Sequence, residues 1–364
     1  MQNLLAPQTL QYLRKPNPDP VSPEKRAEIL ADPGFGQYFT DHMVDICWSS
    51  LGGWHRPRVQ PYGTIALDPA AAVLHYAQEI FEGLKAYRWE DGSIRSFRPE
   101  ANAARMQRSA VRMALPELPT EYFLGSIKEL IAADADWVPS APGTSLYIRP
   151  FMFAKEAFLG VRPANKVNYY VIASPAGNYF KGGLAPVNIW LSTQYSRAGK
   201  GGTGAAKTGG NYASSLLPQA EAYEQGCDQV LFLDDGYLEE LGGMNIVLVR
   251  KDGTLITPAS SSILEGITRD SILQLARDRG LTVEERRVHI DEWRSGAESG
   301  EIVEAFACGT AAVVAPIGSL KTADWTITHA GTNELALSLR EELTGIQYGR
   351  VDDRHGWMTR LDAE

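Results

Sequence analysis

Five glycines crowd around a single lysine in the stretch Gly201-Gly-Thr-Gly-Ala-Ala-Lys-Thr-Gly-Gly-Asn-Tyr212. Glycine raises the entropic cost of folding and allows positive φ and close backbone approach, so a plain connector has no need of this density. The stretch runs into a helix-like segment that begins near Asn211. A mobile surface loop with a solvated Lys207 is the simplest reading. A phosphate-cradling loop of the form G-x-x-x-x-G-K-[ST] fails, because Ala206 stands where that motif needs glycine. The strand-like run Val187–Leu191 also ends well before Gly201, whereas such a loop follows its strand directly. Downstream, Val230-Leu-Phe-Leu-Asp234 imitates a strand ending in a magnesium-binding acid, but Asp234-Asp-Gly-Tyr237 reads better as a turn.

The remaining reading is a Schiff-base lysine packed against an aldehyde by glycine-rich backbone. A desolvated amine near other cations loses proton affinity and becomes nucleophilic. The run Lys207-Thr-Gly-Gly-Asn-Tyr212, taken with Glu239-Glu-Leu-Gly-Gly-Met-Asn245, resembles the branched-chain amino-acid aminotransferases, which are pyridoxal 5'-phosphate (PLP) enzymes of fold type IV. The resemblance extends from about Asp41 to Trp357. It implies an α/β (α+β) fold of two domains with the active site at their interface, in a homodimer whose pockets share residues. The expected boundaries are an arm over 1–40, a small α/β domain over 41–173, an interdomain loop over 174–186 and a large PLP-binding domain over 187–364.

Composition is compatible with that. The chain has 364 residues and a net charge of −9, which argues against nucleic acid or an anionic membrane as partner. No apolar run approaches the ~20 residues of a spanning helix, and the first residues lack a signal-like pattern, so the expectation is cytoplasmic. Cys47, Cys227 and Cys308 form no C-x-x-C and read as reduced structural thiols. The scattered histidines show no metal-site spacing, so no metal is expected.

Along the chain, a short helix is expected from Pro23 to Leu30, strands at Asp45–Trp48 and Trp54–Tyr62, and one strand over Phe81–Tyr87. Asp91-Gly92 signals a hairpin turn before Ile94–Phe97. Pro99 suits the first position of a helix whose apolar stripe is Ala103, Met106, Ala110 and Met113. Arg105 lies beside that stripe, where an arginine is ordinarily solvated, and the resemblance makes it a ligand of the cofactor phosphate. Tyr147 and Arg149 share one face of the strand Ser145–Phe153, and a buried arginine there needs an anionic partner.

The resemblance assigns Arg149 to the distal carboxylate of glutamate. It places Tyr76, Phe81, Tyr147, Val161 and Tyr179 in the substrate pocket, with Tyr76 and Val161 reaching across the dimer. Lys207 becomes the catalytic, cofactor-binding lysine, Tyr212 the partner of the cofactor's phenolate oxygen, and Arg197 a further active-site arginine. Glu240, flanked by apolar sequence, would bury its carboxylate against the cofactor's ring nitrogen, while Glu239 reads as a loop acid. Gly266-Ile267-Thr268 opens a helix, with Thr268 as the expected N-cap and the free N–H groups as a phosphate site. The turn Gly309-Thr310-Ala311 would offer its hydroxyl to the phosphate and its amides to the substrate carboxylate.

A helix is expected from Asn211 to about Gln225. Gly243 and Ala176 depart from residues that some relatives carry, and Ala312 and Ala315 replace a C-x-x-C, so no thiol switch is expected. The implied reaction passes the amino group of leucine, isoleucine or valine to 2-oxoglutarate, giving branched 2-oxo acids and glutamate. A D-amino-acid aminotransferase or an aminodeoxychorismate lyase would share fold and cofactor. A non-catalytic ligand-binding protein would keep the glycines but show no cofactor band.

Overall fold

The computed structural model describes residues 10–177, 185–329 and 331–362, so Tyr179 lies outside the described residues. The chain forms two compact units, Met1–Gly177 with Thr359–Glu364, and Asn178–Met358. The expected large domain therefore ends short of the C-terminus.

In chain order the first unit contains β1 (Leu13–Arg14), α1 (Pro23–Ala31), β2 (His42–Ser49), β3 (Gly53–Pro61), α2 (Ala72–Tyr76), β4 (Glu79–Phe81), β5 (Leu84–Arg88) and β6 (Ile94–Phe97). Helices α3 (Pro99–Arg112) and α4 (Thr120–Asp134) follow, then β7 (Ser145–Ala154) and β8 (Lys166–Ala176). The sheet runs β1-β3-β2-β8-β7-β5-β6, and β4 also pairs with β7. Helix α3 begins at Pro99 as expected, and its Ala103, Met106 and Ala110 are buried. They join Phe123, Ile127 and Leu130 of α4 over Ile46, Ile80 and Ile148 of the sheet. Each of the larger side chains, Met106, Phe123 and the leucine and isoleucines, contributes roughly 1.5–3 kcal/mol of burial. Alternation along β7 buries Leu146, Ile148 and Met152 and turns Tyr147, Arg149 and Phe151 to the other face.

The expected single strand over Phe81–Tyr87 is two strands, because Glu82 and Gly83 interrupt it. The register is kept across the gap, with Phe81 opposite Phe151 and Leu84 opposite Ile148. Glu82 N–H still donates to Pro150 O at 2.7 Å.

The second unit begins with β9 (Val187–Ser192), α5 (Gly209–Ala213), α6 (Leu216–Glu224), β10 (Gln229–Asp234), β11 (Tyr237–Leu241), β12 (Asn245–Arg250) and β13 (Leu255–Pro258). It continues with α7 (Ile267–Asp278), β14 (Val283–Arg286), α8 (Ile290–Ser299), β15 (Ile302–Gly309), β16 (Val313–Lys321), β17 (Thr326–Thr328) and α9 (Glu334–Gln347). Its sheet runs β11-β10-β9-β16-β15-β12-β13-β14, and β17 pairs with β16. Trp293 of α8 is fully buried against Ile302, Ala305 and Ile317. The closing strand β18 (Met358–Arg360) lies at the edge of the first sheet, beside β6.

The expected helix from Asn211 to Gln225 is broken into α5 and α6. Pro218 has no N–H with which to continue the helical ladder. Ser214 Oγ donates to Arg197 O and Asn211 O, and Ser215 Oγ donates to Tyr212 O, so hydroxyls take over carbonyls at the break.

Candidate active site

Lys207 lies between β9 and α5, on backbone held from several sides. Asn211, 2 % exposed, donates through Nδ2 to the carbonyls of Thr203 and Ala206, both at 2.8 Å, and accepts from Thr203 Oγ1 at 2.7 Å. A side chain at Gly204 would overlap the carbonyl of Ser262, so only glycine allows this approach. Lys207 Nζ donates to Tyr212 Oη at 2.7 Å and lies 5.1 Å from the centre of that ring. Rather than pointing freely to solvent, the amine is held by a phenol.

Arg197 ties this segment to the rest of the unit. Its Nη2 donates to Gly204 O at 3.1 Å and Ser262 O at 2.8 Å, and reaches Glu240 Oε1 at 2.5 Å. Glu240, on β11, also accepts from Leu264 N–H at 2.8 Å and Asn245 Nδ2 at 3.3 Å. Burial raises the proton affinity of Glu240 above the usual carboxylate range, opposed by Arg197, then the Leu264 N–H and the charge of Lys207. Such a carboxylate suits a protonated heterocyclic nitrogen. Glu239, expected in a loop, is buried on the same strand and accepts from Ser260 Oγ at 2.9 Å and Ser262 Oγ at 2.5 Å.

Three further corners meet at this strand end. Asn245 Oδ1 lies against Gly266, the N-cap of α7, which no side chain caps. The N-cap is thus Gly266 and not Thr268, which is buried at the second helical position. A Cβ at Gly266 would overlap Asn245 Oδ1 and displace the helix start. Asn245 is also paired in register with Cys308, and Gly309, just before Thr310 and Ala311, packs against Met244 and Gly243. A Cβ at Gly243 would sit 3.9 Å from Tyr212 Cε1, ordinary contact, so space for a side chain is open there. The structure therefore gathers Arg197, Lys207, Tyr212, Glu240, Ile267, Thr268, Thr310 and Ala311 in one region of the second unit. An amine, a raised-affinity carboxylate and an uncapped helix N-terminus fit an aldehyde cofactor with a ring nitrogen and a phosphate.

In the first unit Arg105 is buried, against the ordinary expectation for a helical arginine. Its Nε and Nη2 donate to the two oxygens of Glu82 at 2.8 Å each, and Asn102 Nδ2 adds a bond of 2.7 Å. Glu82 is itself fully buried, and this bidentate pair fixes the plane of the guanidinium. Arg149 Nη2 donates to Tyr147 Oη at 3.1 Å, its guanidinium lies 4.7 Å from the Phe81 ring, and its Nε is buried without a partner. Among the described residues no carboxylate pairs with it. It lines a cavity of about 230 Å³ together with Phe35, Phe39, Tyr147, Ile172 and Ser174. Tyr76 and Val161 do not line that cavity. Tyr76 donates to Leu159 O, and Val161 is 88 % exposed.

Sequence reasoning passed over Glu82, Phe35 and Phe39. The signal for Phe35 was present, an aromatic between two glycines inside an otherwise polar arm. Its ring meets Tyr147 edge-on at 5.1 Å. Glu82 left no signal, since its partner is twenty-three residues away on a helix.

The chain belongs to the amino-transferase class IV family, whose model matches residues 79–320. Among its relatives, the branched-chain-amino-acid aminotransferase of Mycolicibacterium smegmatis is 58 % identical over 97 % of this chain and 99 % of that one. The branched-chain-amino-acid aminotransferase of Mycobacterium tuberculosis strain H37Rv is also 58 % identical, over 94 % of this chain and 96 % of that one. The fold matches the crystal structure of the branched-chain amino acid aminotransferase from Thermobaculum terrenum in its PLP-bound holo form, with a TM-score of 0.70 and 25 % identity over 87 % of this chain and 98 % of that one.

Proposed function

We propose that this chain is a PLP-dependent branched-chain-amino-acid aminotransferase, moving the amino group of L-leucine, L-isoleucine or L-valine to 2-oxoglutarate. The observation that carries the reading is Lys207 Nζ, held by Tyr212 Oη beside a buried carboxylate, Glu240, of raised proton affinity. When bound, PLP withdraws electrons from the bonds at the substrate Cα.

The chain's own residues do the rest. Lys207 would hold the cofactor, and its free amine would be the base that takes the proton from the substrate Cα and, as its conjugate acid, returns it, work typically worth ~10²–10⁴-fold. Tyr212 would hold the phenolate oxygen. Glu240, steadied by Arg197, would keep the ring nitrogen protonated. Arg105, the N–H groups of Ile267 and Thr268 and the Thr310 hydroxyl would take the phosphate, and the Thr310–Ala311 turn the substrate carboxylate. Phe81 and Tyr147 supply an apolar wall, and Arg149 a cation for the side-chain carboxylate of glutamate. Tyr76, Val161 and Tyr179 complete the pocket in this reading.

We further assign a homodimer, because Leu159 (69 % exposed) and Val161 form an apolar surface that a second copy would cover. We place it in the cytoplasm, since Cys47, Cys227 and Cys308 are all unpaired thiols.

The test is a spectrum of the purified protein before and after L-leucine. A visible band that borohydride fixes and leucine shifts is expected, and its absence refutes the assignment. Turnover of D-alanine, or pyruvate from aminodeoxychorismate, in place of L-leucine would favour the sister activities. Arg149→Ala should weaken the glutamate half-reaction by about tenfold or more relative to the leucine one, since a hydrogen-bonded charge pair contributes ~1.5–3 kcal/mol. Equal losses in both would remove Arg149 from its role.

A further inference from the structure

Gly83 is buried, and its backbone φ is not positive, so an alanine there meets no backbone strain. What it meets is Tyr147. A Cβ at position 83 would lie 2.9 Å from Tyr147 Cζ and closer still to Oη, nearer than real Cβ contacts allow. No other group outside the immediate chain comes as near, so the tyrosine ring alone must move. The same ring also meets Phe35, edge-on at 5.1 Å. The phenol thus rests against Phe35 and occupies the space that the bare Cα of Gly83 leaves.

Tyr147 Oη accepts from Arg149 Nη2 at 3.1 Å, and this is the only hydrogen bond that the guanidinium makes among the described residues. The heading of Arg149 thus depends on where Oη rests. We infer that Gly83 is a specificity-determining position: the missing side chain seats the Tyr147 hydroxyl, which aims Arg149, and this sets how the cavity treats a carboxylate side chain against an apolar one. The inference rests on the reading that Arg149 receives the side-chain carboxylate of glutamate. Gly83 touches no substrate in this account and acts through Tyr147 as a positioning residue.

The experiment compares Gly83→Ala, Tyr147→Phe and the double variant in single-turnover half-reactions with L-glutamate and with L-leucine, alongside thermal melting. Gly83→Ala should lower kcat/KM for glutamate about ten- to a hundredfold, the scale of a lost bond to a charged group. Its leucine half-reaction should stay within about threefold, because apolar contact tolerates the shift. Tyr147→Phe should cost the glutamate half-reaction more than the leucine one, and the double variant should be no worse than the weaker single one, as expected for residues acting in one chain. A merely structural role for Gly83 would lower the melting temperature and both half-reactions together, and that result overturns the inference. So does a double variant in which the two losses multiply. If Gly83→Ala fails to fold, Tyr147→Phe decides: equal glutamate and leucine losses overturn the inference. Failure of the unaltered protein with both amino acids overturns the functional reading itself, and is seen before any variant is compared.

Discussion

His329 is buried beside Trp293, whose Nε1–H donates to His329 Nε2 at 2.9 Å, with the rings stacked at 5.9 Å. Burial alone lowers its pKa from 6.5 to about 4. The folded chain therefore refuses a proton that the unfolded chain binds between those values. Stability from this site is complete above pH 6.5, falls as the pH drops through the window, and levels off below about 4. At pH 5 the unfolded imidazole is nearly all protonated and the folded one about a tenth protonated. Linkage then gives a loss of about 2 kcal/mol relative to pH 7.5, at 1.36 kcal/mol per pKa unit. The assay is urea unfolding of the unaltered protein and of His329→Gln at both pH values, followed by tryptophan fluorescence. Gln keeps an acceptor for the indole N–H but cannot titrate. The pH-dependent loss should be about 2 kcal/mol smaller in the variant, whatever its absolute stability. A variant with the same pH dependence as the unaltered protein would show that His329 does not stay neutral in the folded state.

Other side chains give separable outcomes. Glu82→Gln removes the charge of the carboxylate that holds the buried Arg105, a loss of ~3–5 kcal/mol for a broken buried pair, so both the melting temperature and PLP affinity should fall. Unchanged cofactor titration would detach this pair from the phosphate. Glu240→Gln should reduce kcat on the order of a hundredfold while leaving the borohydride-fixed band in place. A variant of full activity would mean that its carboxylate does not face the ring nitrogen. Asn211→Ala strips donors from the carbonyls of Thr203 and Ala206 and should shift the urea midpoint by an amount equal to ~2 kcal/mol or more. No shift would mean that this loop gains nothing from the clamp.

What could be read from the sequence was whatever rests on local spacing. Pro99 and the Ala103–Met106–Ala110 stripe announced α3, and alternation around Tyr147 and Arg149 announced β7 and the face that they share. Lys207 stood out because its neighbours are glycines, of which Gly204 lies against the Ser262 carbonyl and Gly201 takes positive φ. What was hidden depends on partners that the fold brings from elsewhere. Glu239 read as a surface acid because Ser260 and Ser262, which bury it, come from beyond two further strands. The interruption at Glu82 was invisible, since Phe81–Tyr87 is strand-like throughout and the guanidinium that draws Glu82 inward is on α3. Thr268 is a better cap by residue type than Gly266, but α7 begins ahead of it, at Ile267, and Asn245 Oδ1 leaves room only for glycine at the cap.

The pair Glu82-Gly83 also constrains how this segment can vary in length. Consecutive residues of extended chain face opposite ways, and here one member anchors an arginine while the next makes room for a tyrosine. Adding a single residue between Phe81 and Glu82 would present the acid to the phenol and the gap to the guanidinium, and removing either member would lose one of the two outright. An insertion or deletion in this segment therefore has no partial form that works.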